Sequence, residues 1–214
     1  MDSNQIADGL IQYLMLIALL TFHEFGHAWT AWKCGDDTAR LQGRVSLNPV
    51  VHIDPIGTVV FPLLAIFLLG KYGIFLVGWA KPVPVNPYNL YKPKRDDILV
   101  TLAGPAMNLI LAAGLVAFAK IFSMFHADHS VVYFLLGVAG MSLMLCFFNL
   151  IPVPPLDGSQ ILRVVIGMSH ETYANFARFG FVIITVLIYT RPVQYALDFS
   201  TQNTLNLFRG IFQV

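Results

Sequence analysis

Long apolar runs are the feature of this sequence that most restricts how the chain can fold. They extend over residues 9–32, 98–124 and 131–150, with a shorter last run over 176–189. A helix needs about 20 largely apolar residues to cross a bilayer, and the first run alone would be roughly 36 Å long. A further run, 58–69, is too short to cross as a straight helix, so we expect it to be re-entrant or buried.

The composition supports a membrane protein. The 214-residue chain is 57% hydrophobic and 12% charged, whereas soluble domains carry about 25% charged residues. We therefore predict an all-α polytopic membrane protein, a bundle of about four to six transmembrane or re-entrant helices with a small β or irregular membrane-embedded segment. We expect a single domain over residues 1–214, with a catalytic core over about 8–165 and a C-terminal helix and tail over 170–214.

Two stretches between the first and third runs break the helical pattern. The stretch "RLQGRVSLNPVVHIDPIG" mixes β-branched residues with glycine, asparagine and proline, which favours short strands or irregular backbone. In "GWAKPVPVNP", prolines follow Lys81, Val83 and Asn86, and a residue before proline avoids the helical conformation. At membrane depth, such backbone must be buried in protein or line water.

Charge and cysteine content exclude several classes of protein. A net charge of +1 leaves no basic footprint for nucleic acid. Cys34 and Cys146 lie far apart and outside any C-x-x-C motif, so both are interpreted as small buried hydrophobes. The start "MDSNQIADGL" has aspartates but no lysine or arginine, unlike a secretory signal, so the first run is expected to stay in the mature protein.

Basic residues predict how the chain is oriented in the membrane. The loop over residues 70–97 is rich in lysine and arginine, whereas the turn "FHADHS" between the third and fourth runs has neither. Because basic loops stay in the cytoplasm, this loop is predicted to be cytoplasmic in a multi-pass protein of the cell (inner) membrane. The histidines of the first run and Asp157 would then both lie toward the cytoplasmic side.

Three ionisable residues interrupt the first apolar run, in the segment "LTFHEFGHAW". On a helix, His23 and His27 share a face and can hold one metal ion, while Glu24 can take a proton from a water molecule. This is the H-E-x-x-H arrangement of zinc metalloproteases. The alternative is a pair of packed histidines with Glu24 snorkelling or paired. We prefer the metal site, because each ionisable residue costs roughly 2.5 kcal/mol or more in a membrane unless it is compensated.

A catalytic zinc site needs a third protein ligand and an open position for water. Asp157 follows an apolar span and lies in a proline-broken turn before Gly158, which can present its carboxylate to the bundle. It could equally be the N-cap of the next helix, and spacing alone does not decide. We expect His52 to be a hydrogen-bonded loop residue, although its imidazole is an alternative ligand, and Asp54 to form a turn before Pro55.

The segment "HEFGH", followed much later by "NLIPVPPLDG", resembles the site-2 protease family of intramembrane zinc metalloproteases. Asn149, Pro152, Asp157 and Gly158 match the family's N-x-x-P-x-x-x-x-D-G element, and "LAGPAMN" is similar to its Gly-Pro-x-x-Asn helix. "GWAKPVPVNP" and "RVSLNPVVHIDPIGT" resemble the compact bacterial branch. The resemblance covers the chain from about residue 8 to residue 165.

The resemblance implies one zinc ion per chain, with His23, His27 and Asp157 as ligands and Glu24 as general base. It implies that Asn108 and Asn149 lie near the substrate backbone or support the active-site fold, although an interhelical hydrogen bond is an equally good explanation for Asn108. The expected substrates are single-span membrane proteins cleaved by regulated intramembrane proteolysis. Many relatives carry a PDZ or other regulatory domain that is not expected here, so control would come from a regulatory membrane partner or from substrate supply.

Other functions compete with this one. A metal carrier would usually show polar residues in several spans, and a non-catalytic metal-binding scaffold would be expected to lose Glu24 or a ligand. A zincin acting at the membrane surface would more often take its third ligand from a helical glutamate. For the protease, an edge strand in "RVSLNPVV" could hold an unwound substrate by strand addition, and "KPVPVNP" could line a water path or simply cap the bundle.

Overall fold

A computed structural model describes residues 3–69, 78–125 and 128–214. Most of these residues are helical, and no strand occurs among them. Within the described residues, the chain divides into two compact units, Met1–Tyr91 and Lys92–Val214. The all-α class is therefore confirmed, while the single domain over residues 1–214 stays a prediction.

The first unit begins with the long helix α1, Ser3–Lys33, which confirms the helix predicted for residues 9–32. The helix ends at Lys33, one residue after the end of the apolar run. The last helical hydrogen bond joins the amide of Cys34 to the carbonyl of Thr30 (2.9 Å). Gly35 follows with φ 105°, in the region that favours glycine. A side chain there would also meet the ring of Tyr91. Glycine therefore lets the chain turn sharply away from α1.

Short helical pieces make up the rest of the first unit. These are α2 (Thr38–Leu41), a 3-10 turn (Pro49–His52), a π-helical turn (Pro55–Val60), α3 (Phe61–Leu64), a second π-helical turn (Ala65–Leu69) and a 3-10 turn (Pro87–Asn89). The run over 58–69 forms short irregular helical pieces, and several of its large apolar side chains are exposed, so it is not a buried segment; that it is re-entrant stays a prediction. The stretch over 41–57 is irregular backbone, so the alternative of short strands is wrong.

Side-chain caps explain why these turns form where they do. Asn48 accepts a hydrogen bond from the amide of Val50 (3.1 Å), and Asn86 accepts one from the amide of Tyr88 (3.2 Å). The carboxylate of Asp54 accepts bonds from the two amides that follow Pro55, which confirms the turn predicted there. Each cap satisfies amides that the first turn of a helix leaves without a backbone partner.

The second unit is built on two antiparallel helices, α4 (Pro93–Met124) and α5 (His129–Asn149). Both apolar runs are confirmed as helices that pack on each other. Their core consists of four fully buried residues, Ala112, Val116, Ala139 and Leu143. Small residues on α4 let the two backbones approach closely, which is how helices associate in membranes.

Four further helices follow: α6 (Asp157–Val165), α7 (His170–Ala177), α8 (Gly180–Ile188) and α9 (Arg191–Phe212). The last apolar run was expected over residues 176–189 without interruption. The structure instead has a 50° bend between α7 and α8. At that bend, a side chain in place of Gly180 would collide with the carbonyl group of Pro154.

Among the described residues, three helices are long and apolar enough to cross a membrane, namely those over residues 4–33, 93–124 and 129–149. Counting the bent α7–α8 pair as one span gives up to four. The chain is therefore a multi-pass membrane protein of the predicted class. The expectations for Lys71 and the rest of residues 70–77, and for residues 126 and 127 of the turn, lie outside the described residues.

Candidate metal centre

The two histidines of the first helix lie together in the first unit. Their Nε2 atoms are 3.1 Å apart, and their rings meet edge to face with centroids 4.7 Å apart. Both side chains are buried, with 3% and 8% exposure. The one-turn spacing in the sequence therefore brings two imidazole nitrogens to one point inside the protein.

This arrangement fits zinc. In a tetrahedral site with Zn–N distances of about 2.0–2.1 Å, two ligand nitrogens lie roughly 3.3 Å apart. The observed 3.1 Å between His23 and His27 is close to that separation. The donor chemistry agrees, since imidazole is a preferred zinc ligand.

Glu24 lies beside the first histidine on α1 and is half-buried. Its negative charge acts on two groups of the irregular segment, Arg44 and His52. The turn that carries His52 packs on α1. Two polar groups of the first unit, Arg44 and His52, are thus close enough to Glu24 to interact with its charge.

Asp157 belongs to the second unit, where it is the first residue of α6 and is half-buried. The N-cap position is occupied by Leu156, and no side chain caps this helix. The alternative in which Asp157 serves as the N-cap is therefore wrong. A carboxylate in the first turn still interacts favourably with the helix dipole.

The start of α6 is held tightly within the second unit. A side chain at Gly158 would collide with the carbonyl of Leu150, so only glycine fits after Asp157. Ser159 donates a hydrogen bond to the carbonyl of Leu156 (2.6 Å) and lies 2.9 Å from the hydroxyl of Tyr173. These contacts fix the turn from which Asp157 projects.

An ion pair anchors the other end of α6. The guanidinium of Arg163 donates to the carboxylate of Asp97 at the start of α4 (2.5 Å), and the two side chains are only 8% and 15% exposed. Arg163 also donates to the side chain of Gln160 (2.9 Å). Sequence reasoning missed this pair because its members are 66 positions apart.

The two predicted asparagines also lie in the second unit. Asn108 is fully buried on α4, and its backbone carbonyl accepts a hydrogen bond from the hydroxyl of Ser142 on α5 (2.8 Å). Asn149, the last residue of α5, donates from its side-chain amide to the carbonyl of Leu145 (2.9 Å). Asn108 therefore takes part in the contact between α4 and α5, and Asn149 closes the C-terminal turn of α5.

His52 is a hydrogen-bonded loop residue, as predicted. Its exposure is 2%, and its Nε2 lies 2.8 Å from the carbonyl of Ser46. Because a carbonyl only accepts, Nε2 carries the proton and Nδ1 is left as an acceptor. Burial lowers the pKa of His52, and the charge of Arg44 lowers it further, while the Ser46 bond and Glu24 oppose the shift.

Arg44 is the residue that sequence reasoning missed in the first unit. It is 4% exposed, and it donates to the carbonyls of Lys81 (2.5 Å) and Pro82 (3.2 Å). Its Nη2 is 3.5 Å from Nδ1 of His52. Burial lowers the pKa of the guanidinium, and the charge of Glu24 opposes that shift. Arg44 is present in the segment "GRVSLNP", but nothing in the sequence indicates that its side chain is buried.

Comparison with known proteins adds independent information. The model of a protein family described as Peptidase family M50 matches residues 11–127 and 113–190. "Putative zinc metalloprotease YwhC" of Bacillus subtilis is 36% identical, with the alignment covering 95% of this chain and 94% of that protein. No solved structure matches the chain.

More distant similarity extends to mycobacteria. "Putative zinc metalloprotease Rip2" of Mycolicibacterium smegmatis is 33% identical over 80% of this chain and 63% of that protein. The Rip2 protein of Mycobacterium tuberculosis strain H37Rv is 36% identical over 82% of this chain and 66% of that protein. The chain therefore spans somewhat less than two thirds of these two relatives.

Proposed function

The chain belongs to peptidase family M50, the site-2 protease family, and is a membrane zinc metallopeptidase; we propose that it hydrolyses peptide bonds of single-span membrane proteins within or near the bilayer. One observation carries the proposal. The H-E-x-x-H segment lies in the second half of a helix that is long and apolar enough to cross a membrane, within the span rather than after it, and both of its histidines are buried. A site at that position is reached most directly by a substrate that is itself in the membrane.

In this proposal the zinc ion is held by His23, His27 and Asp157. Support for the histidines comes from the separation of their Nε2 atoms. Support for Asp157 comes from its place in the family's second motif and at the rigid start of α6. Zinc, when bound, polarises the scissile carbonyl and makes a water molecule more acidic.

Glu24 is the general base of the proposed mechanism. Its carboxylate accepts a proton from water and later returns that proton to the leaving amine. The charge of Glu24 interacts with the buried guanidinium of Arg44 and with His52, so polar groups are part of its surroundings. In this proposal Asn108 and Asn149 lie near the substrate backbone or support the active-site fold, and they belong to the packed pair α4 and α5.

The substrate helix must unwind locally before hydrolysis, because its amides are hidden in internal hydrogen bonds. Strand addition to "RVSLNPVV" receives no support from the conformation of that segment, which is irregular. We assign the protein to the cell (inner) membrane with its site toward the cytoplasmic side, on the strength of the basic residues near Lys92. Regulation would come from a membrane partner or from substrate supply.

Cleavage by purified protein in liposomes tests this function. A panel of single-span proteins is incubated with the wild type and with Glu24→Gln, and fragments are located by mass spectrometry. Glu171→Gln is a matched control, since Glu171 is the only other glutamate and is exposed on α7. We expect cleavage within or near the span by the wild type and the control, and at least a hundredfold less by Glu24→Gln.

Three results would count against the proposal. Equal cleavage by Glu24→Gln would mean that another group is the base or that a contaminant is the protease. Cleavage of soluble proteins with none of the single-span panel would favour a zincin acting at the membrane surface. A protein that retains zinc but cleaves nothing across a broad membrane library would instead be a metal-binding scaffold or carrier.

A further inference from the structure

Helix α9 lies against the membrane-spanning pair of the second unit. Leu205, Phe208 and Phe212 pack on the core formed by α4 and α5. That core includes Ala139 and Leu143, which lie in the middle of α5. At the end of α9, the carbonyl of Gln213 accepts a hydrogen bond from Lys120 near the end of α4 (2.8 Å). The second half of α9 is therefore at the depth of the bilayer interior.

One exposed side of α9 is mostly polar. Six exposed residues follow one another at alternating spacings of four and three, and we call them the α9 seam: Tyr195, Phe199, Gln202, Asn206, Arg209 and Gln213. A spacing that averages 3.5 residues places all six on one side of the helix. The rings of Tyr195 and Phe199 stack with centroids 5.9 Å apart. This regular stripe is unlike a lipid-facing surface.

The two amide side chains at the centre of the seam need hydrogen-bond partners. Gln202 and Asn206 each lie within one turn of Leu205, which packs on the middle of the α4–α5 pair. An uncovered amide in the hydrocarbon region loses its hydrogen bonds to water, which is unfavourable by several kcal/mol. A helix lying at the membrane surface would keep these hydrogen bonds to water. The packing of α9 beside α5 creates the need for other partners.

We propose that the α9 seam is the interface with a second copy of this chain in the membrane. Two copies inserted with the same orientation are related by an axis along the membrane normal, so their α9 helices pair in parallel. Each seam residue then faces its own counterpart. A side-chain amide is both a donor and an acceptor of hydrogen bonds. Gln202 and Asn206 can therefore each form a hydrogen bond with the same residue of the second copy. Asparagine at such seam positions favours parallel pairs.

The placement of charge agrees with this occupant. The exposed charged residues nearest to the two amides, Asp198 and Arg209, lie about 16 Å apart along the helix and flank them. Arg209 is one turn from the end of α9, so its long side chain can reach the membrane surface. The charge of Arg209, which faces its own counterpart, would then lie at the membrane surface and not between the paired helices. This interface is independent of the proposed catalytic function.

Cysteine cross-linking tests the proposal most directly. The full-length protein, with Cys34 and Cys146 replaced by alanine, receives one cysteine in place of Gln202, Asn206 or Leu207 and is oxidised in liposomes. Leu207 is the matched control, because it is adjacent to Asn206, at the same depth, and exposed, but lies off the seam. We expect disulfide-linked dimers from the Gln202 and Asn206 variants, at least tenfold above those from Leu207→Cys.

Removing the amides gives a second test that needs no cysteine. Energy transfer between donor- and acceptor-labelled chains, followed as lipid dilutes them, reports the dissociation constant. Gln202→Leu combined with Asn206→Leu should raise that constant about tenfold or more. Gln194→Leu, the same change at an exposed position off the seam, should leave it unchanged.

The opposite results would overturn the proposal. Cross-linking at Asn206 no greater than at Leu207 would show that the seam does not face itself. Labelling of Asn206→Cys by a membrane-impermeant maleimide as fast as labelling of Asp198→Cys would show a water-lined face instead. An unchanged dissociation constant for the double leucine variant would remove the role given to the amides.

Discussion

Different interactions stabilise the interior of each of the two units. In the first unit, the segment after α1 consists of short turns, each fixed by a polar side chain bonded to backbone, such as Asp36, Arg44 or Asp54. In the second unit, α4, α5 and α9 pack through apolar side chains around Ala112 and Leu143. The first unit therefore depends on individual hydrogen bonds, whereas the second depends on packed volume.

The difference teaches where each kind of sequence information applies. Apolar packing is encoded by hydropathy and periodicity, which can be read along the chain. Hydrogen-bonded turns depend on partners distant in sequence, such as Arg44 and Lys81, which are 37 positions apart. His23 and His27 combine both kinds of information, because they belong to an apolar helix on which the turn Pro49–His52 of the irregular segment packs.

The largest effect on stability is expected in the core of the second unit. Leu143→Ala removes a side chain that is 0% exposed and leaves a cavity between α4, α5 and α9. We expect a loss of about 2 kcal/mol or more in unfolding free energy, with no dependence on pH. Reversible unfolding in mixed micelles measures it. A loss below about 0.5 kcal/mol would show that lipid or a side-chain shift fills the space.

In the first unit, the corresponding change is Asp36→Asn. The buried carboxylate of Asp36 accepts hydrogen bonds from the amide and hydroxyl of Thr38, the amide of Asn86 and the side chain of Asn89. Asparagine keeps the shape but turns one acceptor into a donor, which should cost about 1–3 kcal/mol in unfolding free energy. Unfolding in the same micelles measures the loss.

The pH dependence of that variant sharpens the comparison. Burial raises the pKa of Asp36, but its four hydrogen bonds outweigh burial and hold the pKa below its usual range. A carboxyl with a lowered pKa in the folded state stabilises the fold above its unfolded pKa and loses that contribution as pH falls. The difference between wild type and Asp36→Asn should therefore shrink below about pH 4. A difference that stays constant would contradict the role of the charge.

A smaller effect is expected from His52, again in the first unit. Burial and the charge of Arg44 hold the pKa of His52 below the usual value, so the folded state resists its protonation. Its contribution is complete above about pH 6.5 and is lost as pH falls toward the folded pKa. His52→Gln should flatten the fall in stability below about pH 6.5, by at most about 1.4 kcal/mol per pH unit. An unchanged slope would show that other groups cause the acid sensitivity.

The smallest effect is expected for the exposed ion pair of the first unit. Arg40 and Asp37 are 3.2 Å apart, but their side chains are 57% and 54% exposed. Solvent weakens such a pair, so Arg40→Gln should change the unfolding free energy by no more than about 0.5 kcal/mol. A larger loss in the micelle assay would mean that Arg40 contributes through its contact with Trp32 rather than through the pair.

The sequence predicts the membrane class, the principal helices and the histidine pair well, because hydropathy and one-turn spacing are local properties. It leaves the role of Asp157 between ligand and N-cap, and the structure removes the second possibility by placing Leu156 at the cap. The Arg163–Asp97 pair and the bend before Gly180 could not be predicted, since each depends on a contact distant in sequence. The packing of α9 on α4 and α5 could not be predicted either, because the polar composition of α9 is not typical of a helix beside membrane spans.

The most direct test of the central claim, that the first membrane helix holds the zinc ion, is the zinc-edge X-ray absorption spectrum of the purified protein. We predict two imidazole ligands with the remaining ligands oxygen, and no sulfur. In His27→Ala that still retains zinc, one imidazole contribution should be lost. A sulfur ligand, which would have to come from one of the two cysteines or a methionine, would contradict the account. So would a spectrum that His27→Ala leaves unchanged.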